Sequence, residues 1–185
     1  MHHVRPPAVA GSFYPEQAGV LSRTVATLLA EASHPSGPGT SQPWPKAIIV
    51  PPAGYIYSGA TAALAYVRLQ AARDRIRRVV LLGPVHRVPV RGLALPGVDA
   101  FATPLGQVPI DPDAVALIAG MRQVVVSPAA HAQEHALEVQ LPFLQTVLDD
   151  FTLLPLAVGN ATAEEVAQVL EAVWGGDETL IVISS

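Results

Sequence analysis

The segment Val79-Val80-Leu81-Leu82-Gly83-Pro84-Val85-His86 constrains the fold of this 185-residue chain more than any other. An apolar run without polar alternation describes a strand buried on both faces, which is what a parallel sheet covered by helices requires. Gly83-Pro84 ends the run. His86 then falls just beyond the carboxyl end of the strand, where open α/β sheets place their chemistry.

The flanking sequence alternates strand and helix in the manner of a right-handed crossover: a strand at residues 47–50, a helix at 58–71 capped by Ser58, and a strand at 77–82. Further strands are predicted at 124–126, 151–158 and 179–183. Helices are predicted at 18–32, at 132–148 with a bend at Pro142, and at 161–174, where Thr162 caps the start and Gly175-Gly176 the stop. Asp111-Pro112 opens another helix with a capping side chain and a first-turn proline. Two short β segments, 90–95 and 107–110, flank a Pro96-Gly97 turn and are expected to form an excursion beside the site. The resulting expectation is one α/β domain over residues 1–185, a three-layer α/β/α sandwich with a mixed, largely parallel central sheet. Residues 33–45, rich in Gly and Pro, cannot bury enough apolar surface to offset their ordering entropy and are expected to form a flexible loop.

Composition agrees and narrows the function classes. Half of the chain is hydrophobic but only 5% aromatic, which suits close-packed strands under alanine-rich helices. A net charge of -4 leaves no continuous basic footprint for nucleic acid. Arg73, Arg75, Arg77 and Arg78 cluster between a helix and a strand, as a solvated connection or a local anion patch. There are no cysteines, so neither a disulfide framework nor a thiolate is available. No apolar run reaches the ~20 residues that span a bilayer, and no charged-then-apolar leader opens the sequence, so no membrane association and a cytoplasmic location are expected. His2 and His3 are not assigned as ligands.

Three groups could carry chemistry. His86 is either a metal ligand held rigidly at a strand end or an imidazole hydrogen-bonded within a turn. Gly54 and Tyr55 form either a substrate-contacting loop or a tight turn packed under a tyrosine. Glu134, His135 and Glu138 are the polar stretch of an otherwise apolar helix; His135 and Glu134 either act on substrate and protons, support His86 from behind, or cap the helix start. His131-Ala132-Gln133-Glu134-His135 also matches H-x-x-E-H, a zinc-hydrolase pattern, which needs both histidines on one helix. Asp111 and Asp113 read as helix-start carboxylates. No G-x-G-x-x-G, Walker loop or G-x-S-x-G elbow is present.

Four segments, in order, carry a resemblance: Arg5-Pro6-Pro7-Ala8-Val9-Ala10-Gly11-Ser12-Phe13-Tyr14-Pro15, Ile48-Ile49-Val50-Pro51-Pro52-Ala53-Gly54-Tyr55, the strand ending in His86, and Glu134-His135-Ala136-Leu137-Glu138-Val139-Gln140-Leu141-Pro142. Together they resemble the Memo family, known in bacteria as AmmeMemoRadiSam system protein B. The resemblance implies a fold shared with class III extradiol dioxygenases (LigB-like enzymes), a non-haem metal pocket, and association with a radical-SAM partner. It implies His86 as a metal ligand and the Glu134-His135 pair as pocket residues. Pro52 stands where the family has a histidine, and the family pattern continues past Ser185 to an Asp-x-x-His segment and a later ligand. The chain is therefore expected to bind Fe(II) or another divalent metal weakly or not at all, and to lack catalytic competence as it stands. The rival expectation is a non-catalytic module binding a peptide or small molecule in the same cleft. The chain is also expected either to be a fragment of a longer product or to form a homodimer across an open sheet edge.

Overall fold

The computed structural model describes residues 2–33 and 44–185. The expected loop at 33–45 lies, apart from Ser33, Trp44 and Pro45, outside the described residues.

The central sheet is assembled from β2 (Ala47–Val50), β3 (Arg78–Pro84), β4 (Leu93–Leu95), β7 (Val124–Val126), β8 (Thr152–Val158) and β9 (Thr179–Ser184). Their order is β2-β9-β3-β8-β4-β7, parallel throughout except where β4 runs antiparallel to β8. This is the mixed, largely parallel sheet expected. Both faces are apolar because the central strands alternate between two cores. Val79, Leu81, Leu153, Leu180 and Val182 pack under helices α1 (Ala18–Ala32), α2 (Tyr55–Tyr66) and α6 (Leu141–Val147). Val80, Leu82, Leu154, Leu156 and Ile181 pack under α3 (Pro112–Ile118) and α7 (Ala163–Val173). Each buried Val, Leu or Ile side chain contributes about 1.5–3 kcal/mol, which is why the sheet needs helices on both sides.

Local signals account for most element ends. Asp111 caps α3 by accepting from Ala114 N at 2.9 Å, and it also accepts from Arg78 Nε at 2.6 Å and Thr152 Oγ1 at 2.8 Å, so one carboxylate ties α3 to β3 and β8. Burial alone would raise its pKa, but these bonds outweigh it and hold the carboxyl below its ordinary range. Thr162 and Glu165 form a reciprocal capping box at the start of α7. Two of the four arginines between helix and strand meet a carboxylate, Arg73 on Asp149 and Arg78 on Asp111.

Three expectations need correction. The helix beginning at Ser58 starts at Tyr55, with Gly54 as its N-cap; Ser58 instead donates its hydroxyl to Ala53 O, and the segment Val67–Ala72 tightens into a 3-10 helix. The excursion is not a pair of segments around Pro96-Gly97. Residues 93–95 join the central sheet as β4, and a second, three-stranded sheet forms from β1 (Val4–Arg5), β5 (Ala100–Thr103) and β6 (Gly106–Pro109). The helix expected over 132–148 is three short ones: α4 (Pro128–Ala132), α5 (His135–Glu138) and α6. Glu134 is extended and turns its carboxylate back to cap Ala136 N, and Pro142 sits in the first turn of α6, where its missing N–H costs nothing.

A buried ion pair fastens the amino-terminal segment to this helical run. Glu138, fully buried, accepts from Arg5 Nη1 and Tyr14 OH at 2.6 Å each, from Ala8 N at 2.8 Å and from Val9 N at 3.0 Å. The opening proline-rich stretch therefore has a defined place despite making few backbone ladder bonds.

Candidate functional site

Because β2, β9, β3 and β8 are parallel, their carboxyl ends share one edge of the sheet. The chain leaves β2 through Pro51-Pro52 and β3 through Val85-His86, with Ser184 at the end of β9 between them. Val85 N donates to Val158 O at 3.0 Å, so β3 stays tied to β8 up to the histidine.

Helix α5 is brought over this edge by a residue with no side chain. A Cβ at Gly83 would lie 2.9 Å from Leu137 Cδ2 and 3.3 Å from both Ala136 Cβ and Ser184 Cβ. Glycine thus permits the close approach. Ser184 Oγ donates to Ala136 O at 2.7 Å and accepts from Gln140 Nε2 at 2.9 Å, which sets the height of the helix. Glu134 and His135, at the start of that helix, arrive beside His86 as a consequence.

The cluster is built on Glu134, whose side chain is 2% exposed. Its Oε2 accepts from His86 N at 2.7 Å; its Oε1 lies 2.8 Å from His86 Nδ1 and accepts from Ala136 N at 2.9 Å. The same Oε1 is 3.4 Å from His135 Nδ1. Burial pushes the Glu134 carboxyl up, but the bonds from Ala136 and from the His86 ring and backbone outweigh it and leave it below its ordinary value. An ionised carboxylate only accepts, so this network assigns the proton of the His86 ring to Nδ1. The Nε2 atom of His86 is left with an unengaged lone pair, able to accept a proton or bind a metal.

The two imidazoles lie with centroids 4.5 Å apart and planes tilted by 34°. His86 is 42% exposed at the side chain and His135 20%. Burial lowers the His135 pKa, opposed by the Glu134 charge and assisted by those of His86 and Arg87, so His135 is neutral near pH 7. Among the described residues, His86, Glu134 and His135 are a group that could hold a metal ion, each offering one ligand atom within 4.8 Å of the others.

The remaining sequence candidates are placed around this group. Phe13, from the opening segment, packs on His135 with centroids 4.8 Å apart. Gly54 lies against the Phe13 backbone, where a Cβ would be 3.4 Å from Phe13 O, and Tyr55 N donates to Phe13 O at 2.8 Å. These two residues thus hold the Phe13 wall. The Tyr55 ring is buried between Tyr14 and Phe143, and its hydroxyl donates to Val139 O at 2.7 Å, a bond made to the protein itself. A cavity of about 420 Å³ opens beside it, lined by Phe13, Tyr14, Leu28, Tyr55 and Ile56 among others. Pro52 carries no donor atom in its side chain, and its neighbour Pro51 accepts at its carbonyl from Gln140 Nε2 at 3.0 Å. His131 is excluded from the group, because it sits on α4 while His135 starts α5. Its ring is buried against Phe101 and its Nε2 lies 2.8 Å from Ala94 O, so the H-x-x-E-H pattern does not form a two-histidine helix face.

Sequence reasoning did not single out Phe13 as a pocket residue or Glu138 as the anchor of the segment that carries it. Both lie inside the segments quoted above, but nothing in their spacing indicates that Phe13 packs on His135 or that Tyr14 reaches Glu138 across 124 positions.

Fold and site together define an α/β protein with a histidine-carboxylate group at the carboxyl edge of a largely parallel sheet. The comparisons with known proteins agree with the motif resemblance. The Memo-like protein family matches residues 5–185, and the chain belongs to that family. A MEMO1 family protein of Ignicoccus hospitalis is 37% identical over 195 residues, covering 98% of this chain and 67% of that protein. One from Aquifex aeolicus is 39% identical over 186 residues, covering 98% and 66% respectively. The chain thus spans about two thirds of the length of the curated relatives it matches. No helix among the described residues is long and apolar enough to cross a membrane.

Proposed function

We propose that His86 and His135 hold a divalent metal ion through their Nε2 atoms, with Glu134 supporting both rings at Nδ1, in a pocket related to that of the extradiol dioxygenases. The observation that carries this reading is the convergence of two imidazoles and a buried carboxylate within 4.8 Å at the carboxyl edge of the sheet. The donor set fits: imidazole nitrogen suits Fe(II), Zn(II) and their neighbours, and ligating histidines ordinarily turn their second nitrogen to a carboxylate.

When bound, such an ion supplies Lewis-acid polarisation of a substrate oxygen and, in the case of iron, a redox couple. The chain's own residues do the rest. Glu134 keeps the His86 Nδ1 protonated and that ring in place. His135, neutral near pH 7, can accept a proton at Nε2 whenever that atom is free. Phe13 shields His135 on one side, and the exposed face of His86 is the entrance.

Two imidazoles make a weaker site than three ligands, so the Kd for Fe(II) or Co(II) should lie at about 0.1–1 mM, roughly -4 to -5.5 kcal/mol. The test is a Co(II) titration followed by the visible spectrum, with His86→Ala and His135→Ala beside the parent. Each variant should abolish the saturable spectrum; equal binding by either one refutes the assignment. A second reading is favoured by Pro52 and by the cavity of about 420 Å³ lined by Phe13 and Tyr55: a peptide or small molecule binds there without a metal. Absence of any saturable binding tighter than ~1 mM in the parent would select it.

A further inference from the structure

The Glu134 carboxylate meets His86 from a residue that is not helical. Glu134 is extended, with φ -82° and ψ 122°, between the end of α4 and the start of α5. An unbroken helix through this stretch would satisfy its carbonyls internally, so the bend needs other donors for them. They come from one guanidinium. Arg5 Nε donates to His131 O at 2.6 Å, Nη2 to Glu134 O at 2.9 Å and Nη1 to Glu138 Oε2 at 2.6 Å. Arg5 therefore bonds the last turn of α4, the bend itself and the last residue of α5, all in an interior where residues 131, 134 and 138 are at most 2% exposed.

The smaller sheet puts the guanidinium there. β1 pairs with β5 in the register Arg5 to Phe101, and the guanidinium carbon lies 4.9 Å from the Phe101 ring centroid. A planar fork serves three acceptors in fixed directions, whereas a lysine ammonium is a point charge on a flexible stem. We propose that Arg5 is a positioning residue of the candidate site: its guanidinium holds the bend that turns the Glu134 carboxylate onto His86, and so fixes the Nδ1-protonated form of that ring. The inference rests on the reading of His86, Glu134 and His135 as the site, and the positioning does not require a metal.

The experiment reads the His86 tautomer by long-range proton–nitrogen NMR of the metal-free protein at about pH 8.5, two units above the ordinary histidine pKa. The parent should show Nδ1–H. Arg5→Lys keeps a positive charge opposite Glu138 but loses the fork; it should move His86 towards the Nε2–H form that free imidazole side chains favour, and weaken Co(II) binding by about tenfold. Arg5→Met with Glu138→Gln leaves no unpaired buried charge and carries the test if Arg5→Lys does not fold; it should show the same tautomer change. Asp111→Asn breaks the Arg78 pair at the opposite, amino edge of the sheet. It should lower the denaturant midpoint, leave the His86 tautomer as in the parent and change the Co(II) Kd by less than about twofold. A parent without Nδ1–H, a folded Arg5 variant that keeps it, or an equal shift in Asp111→Asn overturns the proposal. If the parent takes up no Co(II) while the Arg5-dependent tautomer change is seen, the metal assignment falls alone and the positioning role stands. If Co(II) binds the parent and both Arg5 variants alike with the tautomer unmoved, the positioning role falls alone.

Discussion

Replacing Glu138 by Gln tests the claim that one buried carboxylate holds the opening segment, and with it Phe13, against the site. The side chain keeps its shape, so no cavity forms and the effect is electrostatic. What is lost is the partner of Arg5, whose side chain is 4% exposed, together with the charge on bonds from Tyr14 OH, Ala8 N and Val9 N. Removing one member of a buried ion pair costs about 3–5 kcal/mol. Arg5 retains carbonyl acceptors at His131 O (2.6 Å) and Glu134 O (2.9 Å), which place the loss at the lower end, about 3 kcal/mol. With a urea m-value of about 2 kcal/mol/M, the unfolding midpoint should fall by about 1.5 M with the slope unchanged. The companion double variant, Arg5→Met with Glu138→Gln, removes both charges while keeping an acceptor for Tyr14 OH, Ala8 N and Val9 N, and should recover part of that loss. A midpoint shift below about 0.3 M for Glu138→Gln, or no recovery in the double variant, would refute the reasoning.

Further outcomes are expected elsewhere. Burial lowers the His131 pKa from 6.5 to about 4, against a partly compensating bond to Ala94 O. The folded state then binds fewer protons than the unfolded one across that window, so stability falls as pH drops from about 6.5 towards 4, by up to about 3 kcal/mol. His131→Leu should flatten that slope in denaturant unfolding at stepped pH, and an unchanged slope would show that the ring titrates normally. Gly83→Val forces its side chain onto Leu137, Ala136 and Ser184; it should cost about 1–3 kcal/mol and also weaken Co(II) binding, because α5 must lift and carry His135 with it. Pro52→His adds an imidazole at the carboxyl end of β2, two inter-strand spacings or about 10 Å from β3. It should tighten Co(II) binding by about tenfold or more, and unchanged affinity would mean that position 52 does not face the His86 pocket.

Much of this architecture is legible in local pattern. The unbroken apolar run of β3, the helical periodicity of α1, the Thr162 cap and the Asp111-Pro112 helix start all depend on neighbours within a few residues, and all four appear where predicted. His86 at a strand end could likewise be read from a single segment. The site could not. Glu134 reaches His86 across 48 positions because glycine at 83 lets α5 settle on β3 and Ser184 sets its height. The H-x-x-E-H pattern failed for the same kind of reason: Glu134 capping Ala136 breaks the helix between the two histidines, and that break depends on where the carboxylate finds its partners. The order of residues determined which elements form and which side chains each one ends with. Only the packed sheet, by bringing strand ends and short helices into contact, decided that Tyr55 is buried, that Arg5 has an acid to meet, and that two imidazoles share one carboxylate.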